Sequence, residues 1–422
     1  MEPDAVAVSA ASRFRTDSPS RTLLVTLTGR DRPGLLSQVF AAVASESDTE
    51  VLDVEQVVVR GRIVLGILLA APDPENGLAP ALQLMAEKLD LDIDVTPGSG
   101  DNDPRRGERL HVTLLGAPLH PGAVGAIAGR TAACGANIDR ILRLARYPCT
   151  ALELEVSGAD SDELRAALAR EAATQHVDVS VHPSGLQRRG KRLVVMDVDS
   201  TLIQDEVIEL LAEHAGCAEQ VAEVTTAAMA GELDFAASLR QRVRLLAGLP
   251  ESILTEVYEA LRLTPGARTL IRTLRRLDHK IAVVSGGFTQ VIEPLAADLG
   301  IDFVAANTLE IVDGRITGEL VGPILDRQAK ADMLVRFAHE CEVPLRQTVA
   351  IGDGANDLDM IQRAGLGVAF NAKPVLREAA DTSLSVPYLD SLLFLLGIPR
   401  DEVEAADAED DDLTPSQPAV RP

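Results

Sequence analysis

The apolar positions of this chain change period several times, and each change marks an element. LLVTLTG, Leu23–Gly29, alternates apolar and polar residues as a half-buried strand does. LLSQVFAAVA then places apolar residues at helical spacing, just after Pro33, a residue suited to a helix's first turn. EVLDVEQVVVR and IVLGILLAA read as two strands around Gly61, 79–88 as a second helix, and LDIDV as a closing strand. The predicted order is βαββαβ. It recurs after the polar break PGSGDNDPRRGE. VTLTG at Val25–Gly29 returns as VTLLG at Val112–Gly116, offset by 87 (25 to 112). Pro33–Gly34 returns as Pro121–Gly122, offset by 88 (33 to 121), so one residue is inserted in the second copy's first loop. A tandem duplication of one small unit follows.

After the basic connector LQRRGKR the pattern is different. Leu193, Val194, Val195 and Met196 form an unbroken apolar run, as in a central strand covered on both faces. From about 204 to 263 the spacing is helical, in four segments: EVIELLAEHAG, QVAEVTTAAMAG, DFAASLRQRVRLLAG and ESILTEVYEALRL. Such a block behind a first strand reads as a helical cap. Strand and helix patterns then alternate: a helix at Gly266–Leu277, the strand KIAVVSGGF, a hairpin turning at Asp313–Gly314, and the helix KADMLVRFAHE. QTVAIGDGANDLDMIQRAG adds a strand, an acidic loop and a helix, LGVAFNA a strand, and TSLSV an edge strand. The expected fold is α/β, a doubly wound parallel sheet with a helical cap insertion, preceded by two ferredoxin-like βαββαβ domains. The expected boundaries are a disordered leader at 1–18, domains at 19–98, 107–184 and 190–400, and a disordered acidic tail at 401–422. A chain beginning near Gln187 is expected to keep the complete active site.

Composition narrows the function classes. With 46% hydrophobic and 25% charged residues over 422 positions, the body is globular. Aromatics are 3% with no Trp, which removes the stacking platforms of single-strand nucleic-acid binders. The net charge of −24 argues against any phosphate-backbone binder and tolerates divalent cations. The four cysteines are scattered without paired spacing, and the seven histidines form no HxxxH pattern. Reduced thiols and a cytoplasmic location are expected. The amino terminus has no apolar core of a secretory signal, and Leu392–Leu396 is too short to cross a bilayer.

Candidate chemistry sits where strands end. Asp197 and Asp199 follow the LVVM run, a costly place for two carboxylates without a purpose. Their spacing sends both to one side of the strand. Ser285 and Gly286 follow a second strand, Asp353 a third, and Lys330 begins a helix. In a doubly wound sheet these pieces converge on one rim. Asp197, Asp199 and Asp353 are hard oxygen donors suited to Mg2+. Ser285 and the amides of Gly286 and Gly287 can cradle phosphate oxygens, and Lys330 can neutralise them. A carboxylate nucleophile, a metal and a phosphate cradle describe phosphoryl transfer through an aspartyl phosphate.

In order and wording, DVDST, VVSGGF, the Lys330 region and IGDGANDLDM resemble the four motifs of haloacid dehalogenase-type phosphatases. Within them the chain is similar to the phosphoserine phosphatases, and GRDRPGLL resembles the signature of ACT domains, found in tandem in the actinobacterial members. The resemblance implies hydrolysis of O-phospho-L-serine to L-serine and phosphate, the last step of serine biosynthesis. It implies attack by Asp197, with Asp199 as acid and then base. Mg2+ would be held by Asp197, the Asp199 carbonyl and Asp353, with Asp357 orienting Lys330 or a metal water. Glu206 would take the substrate ammonium, Arg242 its carboxylate, Asn356 the phosphate side, and Met229 and Phe235 the apolar wall. ACT domains imply an amino acid, L-serine first, near Asp31, Arg32, Pro33 and Gly34, and a homodimer or higher assembly. The second copy, GAPLHPG, lacks a counterpart of Asp31. The alternatives are a phosphatase for another small phosphate ester, or an amino-acid sensor with secondary phosphatase activity.

Overall fold

The computed structural model describes residues 21–44, 49–70, 78–99, 109–185, 190, 192–229 and 234–413. The leader at 1–18 lies outside them. Among the described residues no helix is long and apolar enough to cross a membrane. The chain divides into two compact units, Met1–Arg105 and Arg106–Pro422.

The first unit contains β1 (Arg21–Arg30), α1 (Leu35–Val43), β2 (Glu50–Val59), β3 (Arg62–Ala70), α2 (Leu78–Leu89) and β4 (Leu91–Ser99). Its antiparallel sheet runs β2-β3-β1-β4. Alternation puts Leu23, Val25 and Leu27 beside Ile63, Leu65, Ile67 and Leu69, under Leu35 and Val39 of α1 and Leu82 of α2. Arg60 and Gly61, with φ of 48° and 73°, make the two-residue turn between β2 and β3. α1 begins at Leu35 rather than at Pro33, because Gly34 takes the left-handed conformation (φ 83°) and serves as its N-cap.

In the second unit the same order returns as β5 (Arg109–Gly116), α3 (Pro121–Ala133), β6 (Asn137–Ala145), β7 (Thr150–Ser157), α4 (Ser161–Gln175) and β8 (Asp178–Pro183). Its sheet runs β6-β7-β5-β8, the same topology. Here Pro121 does open α3.

A seven-stranded sheet follows in the order β12-β11-β10-β9-β13-β14-β15. β9 (Leu193–Met196) is central, flanked by β10 (Lys280–Phe288) and β13 (Thr348–Gly352). β11 (Phe303–Val312), β14 (Leu366–Phe370) and β15 (Thr382–Leu384) extend it in parallel, and only β12 (Arg315–Val321) is antiparallel. All four β9 residues are fully buried, as the unbroken apolar run requires. The cap consists of α5 (Val207–Ala215), α6 (Ala218–Met229), α7 (Phe235–Arg244) and α8 (Ile253–Ala260). The sheet carries α9 (Ala267–Arg276), α10 (Thr289–Leu299), α11 (Arg327–Glu340), α12 (Leu358–Arg363), α13 (Pro374–Ala379) and α14 (Leu392–Leu395).

Two expectations give way. The acidic segment after Ile398 is not a disordered tail from 401: α15 spans Arg400–Leu413, and 414–422 lie outside the described residues. Val403 is buried, and the Asp407 carboxylate pairs with Arg272 and Arg276 of α9. Acidic composition reads as disorder only when no cationic face receives it.

The basic connector, whose residues 186–189 and 191 lie outside the described set, is also not a boundary between independent bodies. Leu115, Leu144, Ala145, Cys149 and Ala151 of the second repeat belong to the same continuous core as Leu392–Leu396 and the seven-stranded sheet. The Thr382 hydroxyl donates to the Val179 carbonyl (2.9 Å), and the Ser385 amide to Asp178 Oδ2 (2.7 Å).

Candidate active site

Asp197 stands one residue past the carboxyl end of β9, in line with the sheet's central strand. Its Oδ1 accepts the Val198 amide (2.7 Å), and its Oδ2 lies 2.8 Å from Lys330 Nζ and accepts from Asn356 Nδ2 (3.3 Å). Beyond Asp199, Ser200 adopts a left-handed conformation (φ 56°), costing about 1–2 kcal/mol for a residue with a Cβ. Its hydroxyl donates to Glu206 Oε1 (3.1 Å), and its amide to the Asp205 carbonyl (3.3 Å), holding the reversal. Asp199 is thereby fixed, with Oδ1 accepting the Val207 amide (2.9 Å) and Oδ2 the Ser285 hydroxyl (3.3 Å).

Ser285 is fully buried, and its Oγ accepts the Gly287 amide (2.8 Å). Asn307 holds this end of β10 from behind, donating to the Gly286 carbonyl (2.8 Å) and accepting from the Leu325 amide (2.8 Å).

Lys330 projects from α11 with Nζ 2.8 Å from both Asp197 Oδ2 and Asp357 Oδ1. Burial alone would lower its pKa, but the two carboxylates outweigh that and raise it, so the ammonium is permanent. Asp357 gives its other oxygen to the Gly354 amide (3.2 Å). Its approach requires Gly352, where a Cβ would stand 2.4 Å from the Asp357 carboxyl.

Burial raises the proton affinity of the remaining acids to different degrees. Burial, then the neighbouring Glu206 and Asp197 carboxylates, push Asp199 up to about 8, leaving it protonated near pH 7. Burial and Asp197 push Asp353 up to about 6 and Asp357 to about 7. Carboxylate oxygens of Asp197, Asp353 and Asp357 lie within 4.8 Å of one another. Asp357 is held by Lys330 and the Gly354 amide and does not line the cavity, whereas Asp197 and Asp353 do, so these two would face a cation there. A crowded set of hard oxygen donors, with excess negative charge, fits a small divalent cation.

One cavity of about 240 Å3 gathers most of the expected residues: Asp197, Asp199, Glu206, Phe235, Arg242, Gly286, Asp353 and Asn356 all line it. Ser285, Lys330 and Asp357 lie buried behind that wall. Met229 ends α6, and its side chain lies outside the described residues. Arg242, in the last turn of α7, has its Nε buried with no partner among the described residues. Burial lowers its pKa, against the raising influence of Glu206 and Asp199. Glu206 is itself raised by burial, with Asp197 and Glu209 adding to the effect and the Ser200 hydrogen bond opposing it.

Sequence reasoning missed Ile208, Thr225, Leu239 and Lys373, which line the same cavity. Lys373 follows β14 in FNAK, but a lone lysine there carries no motif. The other three are ordinary helix residues with no distinguishing signal.

The proposed amino-acid residues of the first repeat are placed as follows. Asp31 donates its amide to the Gly61 carbonyl (2.8 Å), Arg32 Nη2 donates to the Leu89 carbonyl (2.9 Å), and Pro33 and Gly34 lead into α1.

The motif loops at the carboxyl ends of β9, β10 and β13, with a helical cap between β9 and β10, define a haloacid dehalogenase-like hydrolase. The family model of that description matches residues 194–362, and ACT-domain models match 21–96 and 110–182. A phosphoserine phosphatase of Streptomyces coelicolor is 59% identical over 93% of this chain and 96% of its own. Phosphoserine phosphatase SerB2 of Mycobacterium tuberculosis is 53% identical over 92% of this chain and 96% of its own. Among solved structures, a probable phosphoserine phosphatase from Vibrio cholerae superposes with TM-score 0.56 at 34% identity, covering 72% of this chain and 89% of that one. The chain belongs to the phosphoserine phosphatase family, with two ACT domains ahead of its hydrolase fold.

Proposed function

We propose that the chain hydrolyses O-phospho-L-serine to L-serine and inorganic phosphate, with Mg2+, through an aspartyl phosphate, the acyl phosphate of Asp197. One observation carries the reading: a single cavity holds both a nucleophile pair, Asp197 and Asp199, and a pair of opposite charges, Glu206 and Arg242. The first pair suits phosphoryl transfer and the second suits an α-amino acid.

The Asp197 carboxylate attacks phosphorus while the bond to the seryl oxygen breaks. Asp199, protonated at neutral pH, gives that oxygen its proton, so serine leaves neutral at the hydroxyl. Asp199, now ionised, takes a proton from water as the water oxygen attacks phosphorus and releases Asp197. Lys330 pairs with Asp197 and orients it, and Asp357 keeps Lys330 in place. Mg2+ would be held by Asp197, Asp353 and the Asp199 carbonyl, and supplies Lewis-acid polarisation of the phosphoryl oxygens. Glu206 receives the substrate ammonium. Arg242 presents a buried, unpartnered Nε to its carboxylate. Gly286 and Asn356 face the phosphate, and Phe235 closes an apolar wall. With no spanning helix among the described residues and four free cysteines, a cytoplasmic enzyme fits. The ACT pair would bind an amino acid, L-serine first, near Asp31–Gly34, and join copies into a homodimer or larger assembly.

The test is phosphate release from L-phosphoserine with Mg2+, repeated with EDTA, and with phosphate esters that lack the carboxylate or the ammonium. Metal-dependent turnover with a clear preference for phosphoserine is expected, along with hydroxylamine-labile phosphate trapped on Asp197. Equal turnover of all small esters would favour the alternative reading, a phosphatase of broader specificity. Phosphate trapped on another residue would overturn the mechanism.

A further inference from the structure

The charges on the cavity wall do not match the ligand the cavity is proposed to hold. Asp197, Asp199, Glu206 and Asp353 face it with carboxyl groups, of which Asp199 is protonated near pH 7 and Asp197 and Asp353 would share one Mg2+, and a phosphate monoester arrives as a dianion. Among the described residues two cations line the wall, Arg242 and Lys373. Lys330 is not on the wall, and its ammonium is committed to Asp197 and Asp357 at 2.8 Å each. Arg242 lies in the field of Glu206 and Asp199 and suits the amino-acid end of the substrate. Lys373 is different: its side chain is exposed at the cavity, and it forms no ion pair among the described residues.

Its backbone, by contrast, is fixed. The Lys373 amide donates to the Asp353 carbonyl (3.0 Å), and its own carbonyl accepts from Leu376 (3.0 Å) and Arg377 (3.2 Å). Lys373 is the N-cap of α13, followed by Pro374 at the helix's first position. The backbone is anchored to the loop that carries Asp353, while the side chain is exposed and in no ion pair among the described residues. The Asp353 carboxyl group feels that positive charge.

We propose, on the reading of the cavity given above, that Lys373 is the phosphate-capturing residue of the entrance. Its ammonium pairs with phosphoryl oxygens of the arriving ester, offsets the repulsion of the wall carboxylates, and holds inorganic phosphate before release. Long-range attraction of this kind raises association rates and weakens with salt.

Three variants of the full chain, Lys373→Gln, Lys373→Ala and Lys373→Arg, test this in the presence of Mg2+. Titration calorimetry with inorganic phosphate reads binding directly. Steady-state kinetics from low to high ionic strength read kcat and KM separately. The Gln and Ala variants should bind phosphate about tenfold or more weakly and lose kcat/KM mainly through KM. Their kcat/KM should also lose most of its salt dependence, and Lys373→Arg should restore much of each. The exposed side chain leaves the melting temperature unchanged. Unaltered phosphate affinity and salt dependence in the Gln variant would overturn the proposal. A fall in kcat with KM and phosphate affinity intact would overturn it too, by showing that Lys373 acts only through the Asp353 loop. If wild-type protein binds phosphate and cleaves p-nitrophenyl phosphate but not phosphoserine, the substrate reading fails while the Lys373 measurements still decide the proposal.

Discussion

The two βαββαβ repeats have the same strand order, β2-β3-β1-β4 and β6-β7-β5-β8, and differ in what completes their cores. In the first, the buried cluster is drawn entirely from residues of that unit, Leu23 through Leu91. Its strand β2 leaves a row of valines in the open, with Val57 55% and Val59 61% exposed. In the second, the matching strand β6 ends in Leu144 and Ala145, which are buried in the core of the phosphatase sheet. Strand β8 then receives hydrogen bonds from the phosphatase residues Thr382 and Ser385. The family models cut the chain between 182 and 194, but the packing does not. Duplicated topology therefore does not imply equal independence. A few apolar residues at strand ends decide which copy stands alone.

Deletion gives the sharpest contrast. A chain beginning at Arg106 keeps the whole second unit and should melt cooperatively and hydrolyse phosphoserine at close to the full-length rate. A chain beginning near Gln187 removes Leu115, Leu144, Ala145, Cys149 and Ala151 from a shared core. Burial of either leucine alone contributes about 1.5–3 kcal/mol. The shorter chain should melt about 10 °C lower or more, or aggregate. Calorimetric scans of the two chains side by side are the measurement, and coincident melts would dissolve the distinction between the repeats.

Single substitutions sharpen it. Leu144 is 5% exposed, so Leu144→Ala should cost about 2–5 kcal/mol in denaturant unfolding of the second unit. Val57→Ala, on the open strand of the first repeat, should stay within about 0.5 kcal/mol. Comparable losses would mean that the valine row is covered in solution. A smaller effect belongs to Thr382→Val, which keeps shape and removes the hydroxyl that donates to the Val179 carbonyl. Losing that bond should cost about 1 kcal/mol by the same assay.

The active site was legible because its chemistry is tied to backbone events that sequence displays. Asp197 follows an unbroken apolar run, Ser285 lies with two glycines in the last residues of β10, where the pairing with β11 shifts register, and Asp353 lies in GDGAND after another strand. Strand periodicity located those ends, and the parallel sheet then brought them to one rim. The turn at Asp313–Gly314 was equally visible, with φ of 51° and 72° there. Lys373 was not singled out, because a lone lysine after a strand has no signature until the wall carboxylates around it are known. The seam was hidden because Leu144 and Cys149 look like any core residues of their own repeat. The acidic helix was hidden because its compensation is remote: Asp407 meets arginines 135 and 131 positions away.

The subtlest difference at the seam is electrostatic. Asp178 is buried where β8 meets the phosphatase strand, and its Oδ2 accepts the Ser385 amide (2.7 Å). Burial raises its pKa despite that hydrogen bond and the nearby Arg377. The folded chain thus holds this proton at pH values where the unfolded chain, titrating near about 4, has lost it. Where the folded state binds more protons, stability falls as pH rises. The Asp178 contribution is therefore most favourable below the ordinary carboxylate value and declines as pH climbs through the raised folded one. Asp178→Asn keeps an oxygen for the Ser385 amide and carries no charge at any pH. Its melting temperature relative to wild type should be nearly unchanged near pH 4 and should shift in the variant's favour at pH 7. Melting both proteins across that range, each beginning at Arg106, isolates the seam. A variant that gains nothing at pH 7 would mean that the ionised carboxylate is fully compensated there, and that the seam binds through its charge rather than in spite of it.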